Sequence, residues 1–352
     1  MQAAIADPHR LDTERLAHWI ARELGERVPA LSAEKFPGGQ SNPTFLLRVD
    51  GAPRWVLRKK PPGVLLPSAH AIEREYRVMA ALAQSEVPVP RMLALCTDAD
   101  VIGTSFVLME HVTGRTFWDM RLPDLVAAQR SALYDDMNRV IAALHVVDPQ
   151  SLGLADFGRQ GGYFSRQIAR WTAQYRATET GRIEAMEQLI AWLPEALPDG
   201  LDETRLVHGD FRIDNLIFHP TEPRVIAVID WELSTLGHPL ADLAYHLMSW
   251  RLSPAEFRGL AGENLDALGI PDEARYLARY AERTGRDPVD PATWEFAIVY
   301  NLFRVACIRQ GVLKRALDGN ASSERAREAG SRARDMAELA WRMAAQPTRA
   351  TR

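Results

Sequence analysis

One short segment constrains this chain more than any other: Leu206–Ile217, which reads LVHGDFRIDNLI. It places Asp210 and Asn215 five residues apart, and a second apolar run leads into Asp230 fifteen residues after Asn215. Apolar runs on either side of a Pro-bounded turn predict strands over 216–218 and 225–229. A polar turn whose Asp and Asn side chains cap backbone amides is the simple alternative. The His-x-Asp-x4-Asn spacing arises by chance in roughly one sequence in a hundred of this length, which favours a functional site.

The residue types in this segment suit phosphoryl transfer. That reaction needs one carboxylate to receive or orient the attacking hydroxyl, and a second carboxylate and an amide oxygen to hold metal ions against the phosphates. We therefore assign Asp210 as the catalytic residue and Asn215 and Asp230 as magnesium ligands. His208 is interpreted as a structural brace, and Asp214 as a solvated or capping carboxylate.

The two halves of the sequence differ in character. Up to about residue 112 the patterns are β-rich, with strands expected over Phe45–Val49, Trp55–Arg58 and Val101–Met109 and an Asp-Gly turn between the first two. Beyond residue 112, helical periodicity dominates. Helices are expected at about 12–24 and 69–84 in the first part, and at about 125–144, 164–177 and 183–192 in the second. The sequence thus predicts an α+β fold with a small nucleotide-binding N-lobe (1–112) and a large helical C-lobe (113–345) that carries the catalytic loop and the acceptor site.

The composition excludes several classes of protein. The formal net charge is −4, so no overall basic field indicates a nucleic-acid or membrane partner. The chain lacks a run of about 18 apolar residues. Its two cysteines, Cys96 and Cys307, lie far apart, which argues against a zinc site or a disulfide framework. We expect a cytoplasmic enzyme.

The motifs HGDFRIDN and IDWE resemble the aminoglycoside-phosphotransferase-like kinases, which include choline and homoserine kinases. The stretches GGQSNPTF, VLRKKPPG, HAIEREYRV and STLGHPLADLAYHL look most like kinase domains related to those fused to acyl-CoA dehydrogenases. The resemblance covers about residues 35–320. It implies a two-lobed protein-kinase-like fold and ATP with Mg²⁺ as cofactors, although the sequence does not decide between ATP and GTP.

The resemblance also implies a nucleotide site in the N-lobe. Its phosphate loop is expected at GGQSN, where glycines permit close backbone approach and polar side chains can donate to phosphate. The residues concerned are Gly38, Gly39, Gln40, Ser41 and Asn42. Glu110 and Val112 fall at the hinge, where backbone groups read adenine.

Such a site also needs a cation on the third strand that pairs with a helix glutamate. Arg58 and Lys60 share one face of that strand, and Glu75 is the expected partner. Arg58 occupies the position where many kinases have lysine, so the cation is either Arg58 or Lys60. Asp242 falls where the family has an acid that braces the catalytic loop, and we interpret it as structural.

The acceptor side is less constrained. The helix near 294–315 carries Arg304, Arg309, Lys314 and Arg315, which are either a solvated face or a surface for an anionic acceptor. The resemblance implies a hydroxyacyl-CoA as the acceptor, with a separate acyl-CoA dehydrogenase as a potential partner. The alternatives are an aminoglycoside or other amino-alcohol kinase, and a nucleotide- or CoA-binding module without turnover. HGD and DWE replace the HRD and DFG of protein kinases, which argues against a protein substrate.

Overall fold

The computed structural model describes residues 11–36, 42–61, 71–319 and 326–346. They form two compact units. The first takes in the chain up to Arg115 together with Ile217–Pro220 and Ile226–Glu232. The second holds Thr116–Leu216, Thr221–Val225 and the chain from Leu233 onward. A short later stretch of sequence therefore returns to the first unit, and it carries Asp230.

The first unit is built on a five-stranded antiparallel sheet of order β1-β2-β3-β5-β4. Its elements are α1 (Thr13–Leu24), β1 (Leu31–Lys35), β2 (Thr44–Val49), β3 (Ala52–Lys59), α2 (Ile72–Leu82), β4 (Met92–Cys96), α3 (Ala99–Ile102) and β5 (Phe106–Glu110). The hairpin β7 (Leu216–Phe218) and β8 (Val225–Val228) follows later in the chain and lies mostly in this unit.

Two local patterns fold as the sequence predicts. Asp50 and Gly51 have φ of 51° and 81°, the left-handed conformation that a tight type I′ turn requires, and they join β2 to β3. Asp12 caps α1 by accepting from the Arg15 N–H at 3.0 Å. The apolar stripe of α1 packs on the sheet, where Trp19 meets Phe106 edge-on at 4.8 Å between ring centroids.

The expected strand over Val101–Met109 is wrong in its first half. Asp98 caps a single helical turn, Ala99–Ile102, which Gly103 ends at φ 85°. The strand begins only at Phe106. Two further strands, β1 and β4, have no counterpart among the expected elements. β1 is a short strand at the edge of the sheet, where only Leu31 and Ala33 pack on the core and both are partly buried.

The second unit is mainly helical. Its elements are α4 (Ala127–Val146), α5 (Tyr163–Thr178), α6 (Glu184–Glu195), β6 (Arg205–Val207), β9 (Thr235–Gly237), α7 (Pro239–Leu247), α8 (Pro254–Phe257), α9 (Leu265–Leu268), α10 (Glu273–Thr284), α11 (Pro291–Leu317), α12 (Ala326–Ser331) and α13 (Ala333–Ala345). Short 3₁₀ turns occur at Ile213–Asn215, Trp231–Leu233 and Met248–Arg251. β6 pairs with β9, a strand that the sequence patterns do not reveal.

Helix α11 forms the centre of this unit and packs against α5, α7 and α13. In the described part of the chain it is the one helix long and apolar enough to cross a membrane by length and composition. Of its most apolar stretch, 78% is buried inside the protein. Burial of that kind is what a core helix shows.

Candidate active site

The catalytic segment follows β6 directly. Gly209 has a φ of 82°, and a Cβ at this position would lie 2.7 Å from the carbonyl oxygen of Leu233. Only glycine combines that backbone conformation with so close an approach. The chain turns at Gly209 directly after β6, and Asp210 follows this turn.

Asp210 and Asn215 form a hydrogen-bonded pair. The Asn215 Nδ2 donates to the Asp210 carbonyl oxygen at 2.8 Å and to the Asp210 Oδ2 at 3.0 Å. Both bonds use the amide nitrogen, so the amide oxygen of Asn215 is directed away from Asp210. The side chain of Asp210 is 18% exposed, and Arg212 places its Nε 3.3 Å from the Asp210 Oδ1. The pair thus combines a partly open carboxylate with an amide oxygen, directed away from it, of a type that can ligate a metal.

A buried carboxylate at the start of α7 holds the catalytic backbone. The side chain of Asp242 accepts from the N–H groups of His208 and Gly209, each at 2.8 Å, and lies 3.3 Å from the Nε2 of His145. Burial acts to raise the pKa of Asp242, but the bond from His145 and the backbone donors lower it below its ordinary value. The Nδ1 of His208 accepts from the Asp210 N–H at 3.1 Å. Both side chains therefore brace the loop, in line with the sequence interpretation.

Arg304 also holds this loop, and here the prediction of a solvated or acceptor-binding face is wrong. Arg304 is buried, and its Nη2 donates to the Gly209 carbonyl oxygen at 2.5 Å. Its guanidinium carbon lies 4.8 Å from the ring centroid of Tyr245 and 5.6 Å from that of Trp171. The apolar neighbours of Arg304 on α11 are the sequence signal that could have indicated its burial.

The other three cations of α11 do not share one surface with Arg304. Arg309 is half-buried and donates to a backbone carbonyl. Lys314 pairs with Asp318 at 2.6 Å, and Arg315 is exposed. The four cations therefore do not form one basic face, because they range from buried at Arg304 to exposed at Arg315.

We expect Arg304→Met to lower both the thermal stability and kcat. The substitution keeps an apolar body of similar length but leaves the buried carbonyl of Gly209 without its donor, which costs about 1–3 kcal/mol. The loss of that bond should also loosen the backbone beside Asp210. Thermal unfolding and steady-state kinetics measure the two effects, with Arg315→Met as the exposed control on the same helix. Equal melting temperatures and equal kcat values for the two variants would contradict this role.

The first unit holds the predicted cation. The Arg58 Nη1 lies 2.8 Å from the Glu75 Oε1, and its Nη2 lies 2.8 Å from the Asp230 Oδ1 and 3.2 Å from the Glu232 Oε2. Lys60 pairs instead with a different carboxylate of α2, Glu73, at 2.5 Å. The structure thus gives Arg58, rather than Lys60, the geometry expected of the strand cation that pairs with a helix glutamate.

The charges around Arg58 leave room for a further cation. Three carboxylates surround one guanidinium, so the cluster has an excess of negative charge. Burial raises the pKa of Glu75 to about 7, since the opposing effect of Arg58 offsets it only in part.

Two further features mark this cluster. The Nε of Arg58 has no hydrogen-bond partner among the described residues. Asp230, with φ of 67°, is a non-glycine residue in the left-handed region, a strain that is often found at functional sites.

The donor types fit magnesium. Mg²⁺ binds through one or two protein oxygens and completes its shell with phosphate oxygens and water. Asp230 has a 35% exposed carboxylate, and Asn215 has an amide oxygen, and each is a group that Mg²⁺ accepts as a ligand. Across the described ranges no cluster of three or more His, Cys, Asp or Glu residues could hold a metal without further ligands.

Substituting the two candidate cations should separate their roles. Arg58→Ala should raise the KM for ATP about tenfold or more, because it removes the charged donors that charge-assisted bonds to phosphate require. Lys60→Ala should raise it less than about threefold, because the ion pair of Lys60 with Glu73 is partly exposed and lies apart from the Arg58 cluster. Steady-state kinetics at saturating acceptor measure both values. A large rise for Lys60→Ala alone would reverse the assignment.

The remaining predicted nucleotide contacts are only partly visible. Gly38, Gly39, Gln40 and Ser41 lie outside the described residues, whereas Asn42 is buried just before β2. Glu110 ends β5, and its carboxylate accepts from the Arg91 N–H at 2.9 Å. Val112 follows and is half-buried. The Glu110 N–H in turn donates to the Arg91 carbonyl oxygen at 3.0 Å, so both the side chain and the N–H of Glu110 have contacts within the unit.

Comparison with known proteins identifies the family. A model of the phosphotransferase enzyme family matches residues 32–296. The chain belongs to this family. A Ralstonia eutropha protein, provisionally described as an aminoglycoside phosphotransferase, shares 53% identity with a TM-score of 0.86, over 95% of this chain and 98% of that one. An aminoglycoside phosphotransferase solved with ADP and hygromycin B has a TM-score of 0.62 at 17% identity, over 94% of this chain and 99% of that one. The phosphotransferase therefore has the kinase-like fold that the sequence predicts.

Curated relatives of this phosphotransferase carry a different kind of name. Acyl-CoA dehydrogenase family member 10 of Mus musculus is 51% identical over 310 residues, which are 87% of this chain and 28% of the relative. Acyl-CoA dehydrogenase family member 11 of Homo sapiens is 44% identical over 329 residues, which are 92% of this chain and 42% of the relative. The chain thus spans less than half the length of either relative.

Proposed function

We propose that this phosphotransferase transfers the γ-phosphoryl group of Mg²⁺-ATP to a hydroxyl of a hydroxyacyl-CoA. The observation that carries the transfer is the pair formed by Asp210 and Asn215. The Asp210 carboxylate is partly open, hydrogen-bonded at 3.0 Å and fixed by a buried backbone brace. A non-catalytic binding module has no need of so strongly braced a carboxylate.

The proposed reaction gives each residue one role. Asp210 orients the acceptor hydroxyl and takes its proton as the new oxygen–phosphorus bond forms. The bond between the γ-phosphorus and its bridging oxygen breaks, and ADP leaves with the electron pair. Arg58 holds the α- and β-phosphates, supported by Glu75. Magnesium bound to Asn215 and Asp230 would neutralise the charge on the phosphates.

The choice of ATP rests on analogy of fold. Structural neighbours are complexes with ADP or with AMP-PNP, and one aminoglycoside 2′-phosphotransferase, at 15% identity, is a GDP complex. The predicted hinge at Glu110 and Val112 would read the base through backbone groups. We therefore propose ATP, with GTP as the competing donor to be compared under the same conditions.

The names of the curated relatives support a thioester as acceptor. Hydroxide is a poor leaving group, whereas a phosphate ester can depart, so phosphorylation prepares a hydroxyacyl-CoA for elimination. An acyl-CoA dehydrogenase or related enzyme acting on the resulting acyl chain is the partner we propose.

The second unit also places cationic and apolar groups together. A small cleft is lined by Trp118, Arg212, Phe257 and Arg258 among others, and the Arg258 guanidinium carbon lies 4.8 Å from the ring centroid of Trp118.

Aminoglycosides are the alternative acceptors, since several neighbours of similar fold act on them. An aminoglycoside is a polycation, and the cleft has two arginines, Arg212 and Arg258, that share one carboxylate, Asp214, at 3.0 and 3.4 Å, which disfavours such a ligand. A comparison of ATP consumption with 4-hydroxyvaleryl-CoA and with kanamycin tests the acceptor. We expect turnover of the thioester and none of the antibiotic. Turnover of kanamycin without turnover of the thioester would refute the proposed acceptor and retain the kinase.

A further inference from the structure

A pocket of about 320 Å³ in the helical unit combines apolar and cationic groups. Ala255, Met336 and Leu339 supply apolar surface, Arg309 and Arg332 supply positive charge, and Glu256 and Asp335 supply negative charge. None of the roles assigned above to the catalytic loop uses this pocket. What it could bind follows from how its charges are balanced.

The positive charge of Arg309 is only partly offset by nearby carboxylates. Burial and the charge of Arg332 outweigh Asp335 and Glu256, which act to raise its pKa. Its guanidinium donates to the carbonyl oxygens of Glu256 at 2.9 Å and of Arg332 at 3.4 Å, and no described carboxylate lies within ion-pair distance of it. The Glu256 carboxylate is engaged elsewhere, accepting from the Ser253 N–H at 2.8 Å. Burial and the charge of Arg332 lower the pKa of Arg309, as expected of a half-buried cation next to a second one.

Arg332 adds a second guanidinium at the rim of the pocket. It donates to the Ala255 carbonyl oxygen at 2.6 Å and lies 3.5 Å from the Glu328 carboxylate. Asp335 also lines the pocket, so the lining is not purely cationic. Arg309 is nevertheless the half-buried cation of the two and has no ion pair with a described carboxylate, whereas Arg332 is exposed. An anion placed at Arg309 would gain charge-assisted hydrogen bonds and relieve the repulsion between the two arginines.

One aromatic ring links this pocket to the catalytic loop. The guanidinium carbon of Arg309 lies 5.3 Å from the ring centroid of Phe257, and that of Arg212 lies 5.9 Å from the same centroid. Arg212 in turn contacts Asp210. A molecule whose hydroxyl lies at Asp210 could therefore extend past Phe257 and reach Arg309.

We propose that Arg309 and Arg332 bind the phosphate groups of coenzyme A, which holds the remote end of the acceptor while its hydroxyl lies at Asp210. The inference rests on the proposed acceptor and adds a subsite to it. Arg309 lies five positions after the loop-bracing Arg304 on α11, a rise of about 7.5 Å along the helix. The anion that we place at Arg309 is therefore not the phosphoryl group that is transferred at Asp210. A remote anion requires a long acceptor, as a CoA thioester is and a free hydroxy acid is not.

Titration with coenzyme A itself tests the subsite without turnover. The protein is first saturated with Mg²⁺-ADP, so that the adenosine part of coenzyme A cannot use the nucleotide site. The double variant Arg309→Gln with Arg332→Gln should bind coenzyme A about tenfold or more weakly than wild type. Arg315→Gln, exposed on the same helix as Arg309, should bind it as wild type does. Equal affinities for wild type and the double variant, or no binding by wild type, would overturn the subsite.

Two further measurements distinguish a loss of charge from a loss of folding, and the subsite from the proposed acceptor. Arg309→Lys keeps the positive charge and should bind coenzyme A more tightly than Arg309→Gln. If the Arg309 variants do not fold, Arg332→Gln alone, at an exposed position, should still weaken the binding of coenzyme A. In turnover, the double variant should raise KM more for 4-hydroxyvaleryl-CoA than for the neutral N-acetylcysteamine thioester. If neither thioester is phosphorylated, the proposed acceptor fails, and the titration with coenzyme A still decides the subsite.

Discussion

Replacing Asp210 with alanine should reduce kcat by about 10²-fold or more and leave nucleotide affinity nearly unchanged. A positioned base contributes roughly 10²–10⁴-fold to a proton-transfer step, and Asp210 is the carboxylate that we assign to the acceptor hydroxyl. Its side chain is 18% exposed and bonds to Asn215 and to Tyr245, both in the second unit. Its removal should therefore not reach the phosphate-binding residues of the first unit.

Asp210→Asn is the matched variant, since it keeps the shape of the side chain and removes its basicity. Both variants should bind Mg²⁺-ADP with wild-type affinity in a calorimetric titration, which establishes that they are folded. Single-turnover rates then report the chemical step alone. Wild-type rates in both variants would show that Asp210 is not the catalytic residue.

Replacing Asp230 with asparagine should weaken magnesium-dependent nucleotide binding about tenfold or more, which corresponds to ~1.4 kcal/mol. The substitution removes a charged ligand from a hard cation that prefers carboxylate oxygens. It also removes one of the three carboxylates that surround Arg58. ATP affinity measured with and without magnesium separates these effects, because only the first depends on the metal.

Glu232 provides the matched control for Asp230. It lies two residues further along the chain and also pairs with Arg58, at 3.2 Å, but we assign it no metal. Glu232→Gln should keep the strengthening of ATP binding by magnesium, whereas Asp230→Asn should lose it. If magnesium strengthens ATP binding equally in the two variants and in wild type, then Asp230 is not a ligand.

The features that could be predicted from sequence are those with short-range causes. The spacing of Asp210 and Asn215 fixes their pairing, because one loop and one 3₁₀ turn hold both residues. The Asp50-Gly51 turn follows from the positive φ that its backbone requires. The start of α1 follows from the Asp12 cap. In each case the decisive interaction lies within a few residues of the pattern that predicts it.

The features that sequence did not predict depend on distant partners. Arg304 resembles a solvated cation until its bond to Gly209, 95 positions away, is seen. The choice between Arg58 and Lys60 requires the positions of Glu75 and Glu73 on α2 relative to β3. β9 is only three residues long, and its pairing with β6 cannot be read from periodicity. Tertiary contacts decide all three, and the one local pattern that indicates any of them is the apolar sequence around Arg304.

The most direct test of the account follows the γ-phosphoryl group itself. ATP labelled with ¹⁸O at its γ-phosphoryl oxygens is incubated with the protein, magnesium and 4-hydroxyvaleryl-CoA, and the products are resolved by mass spectrometry. We expect the labelled phosphoryl group on the acyl chain of the thioester, and no such product when magnesium is chelated or when Asp210 is alanine. Label found only in inorganic phosphate, or an equal yield of labelled thioester from the Asp210→Ala variant, would contradict the account.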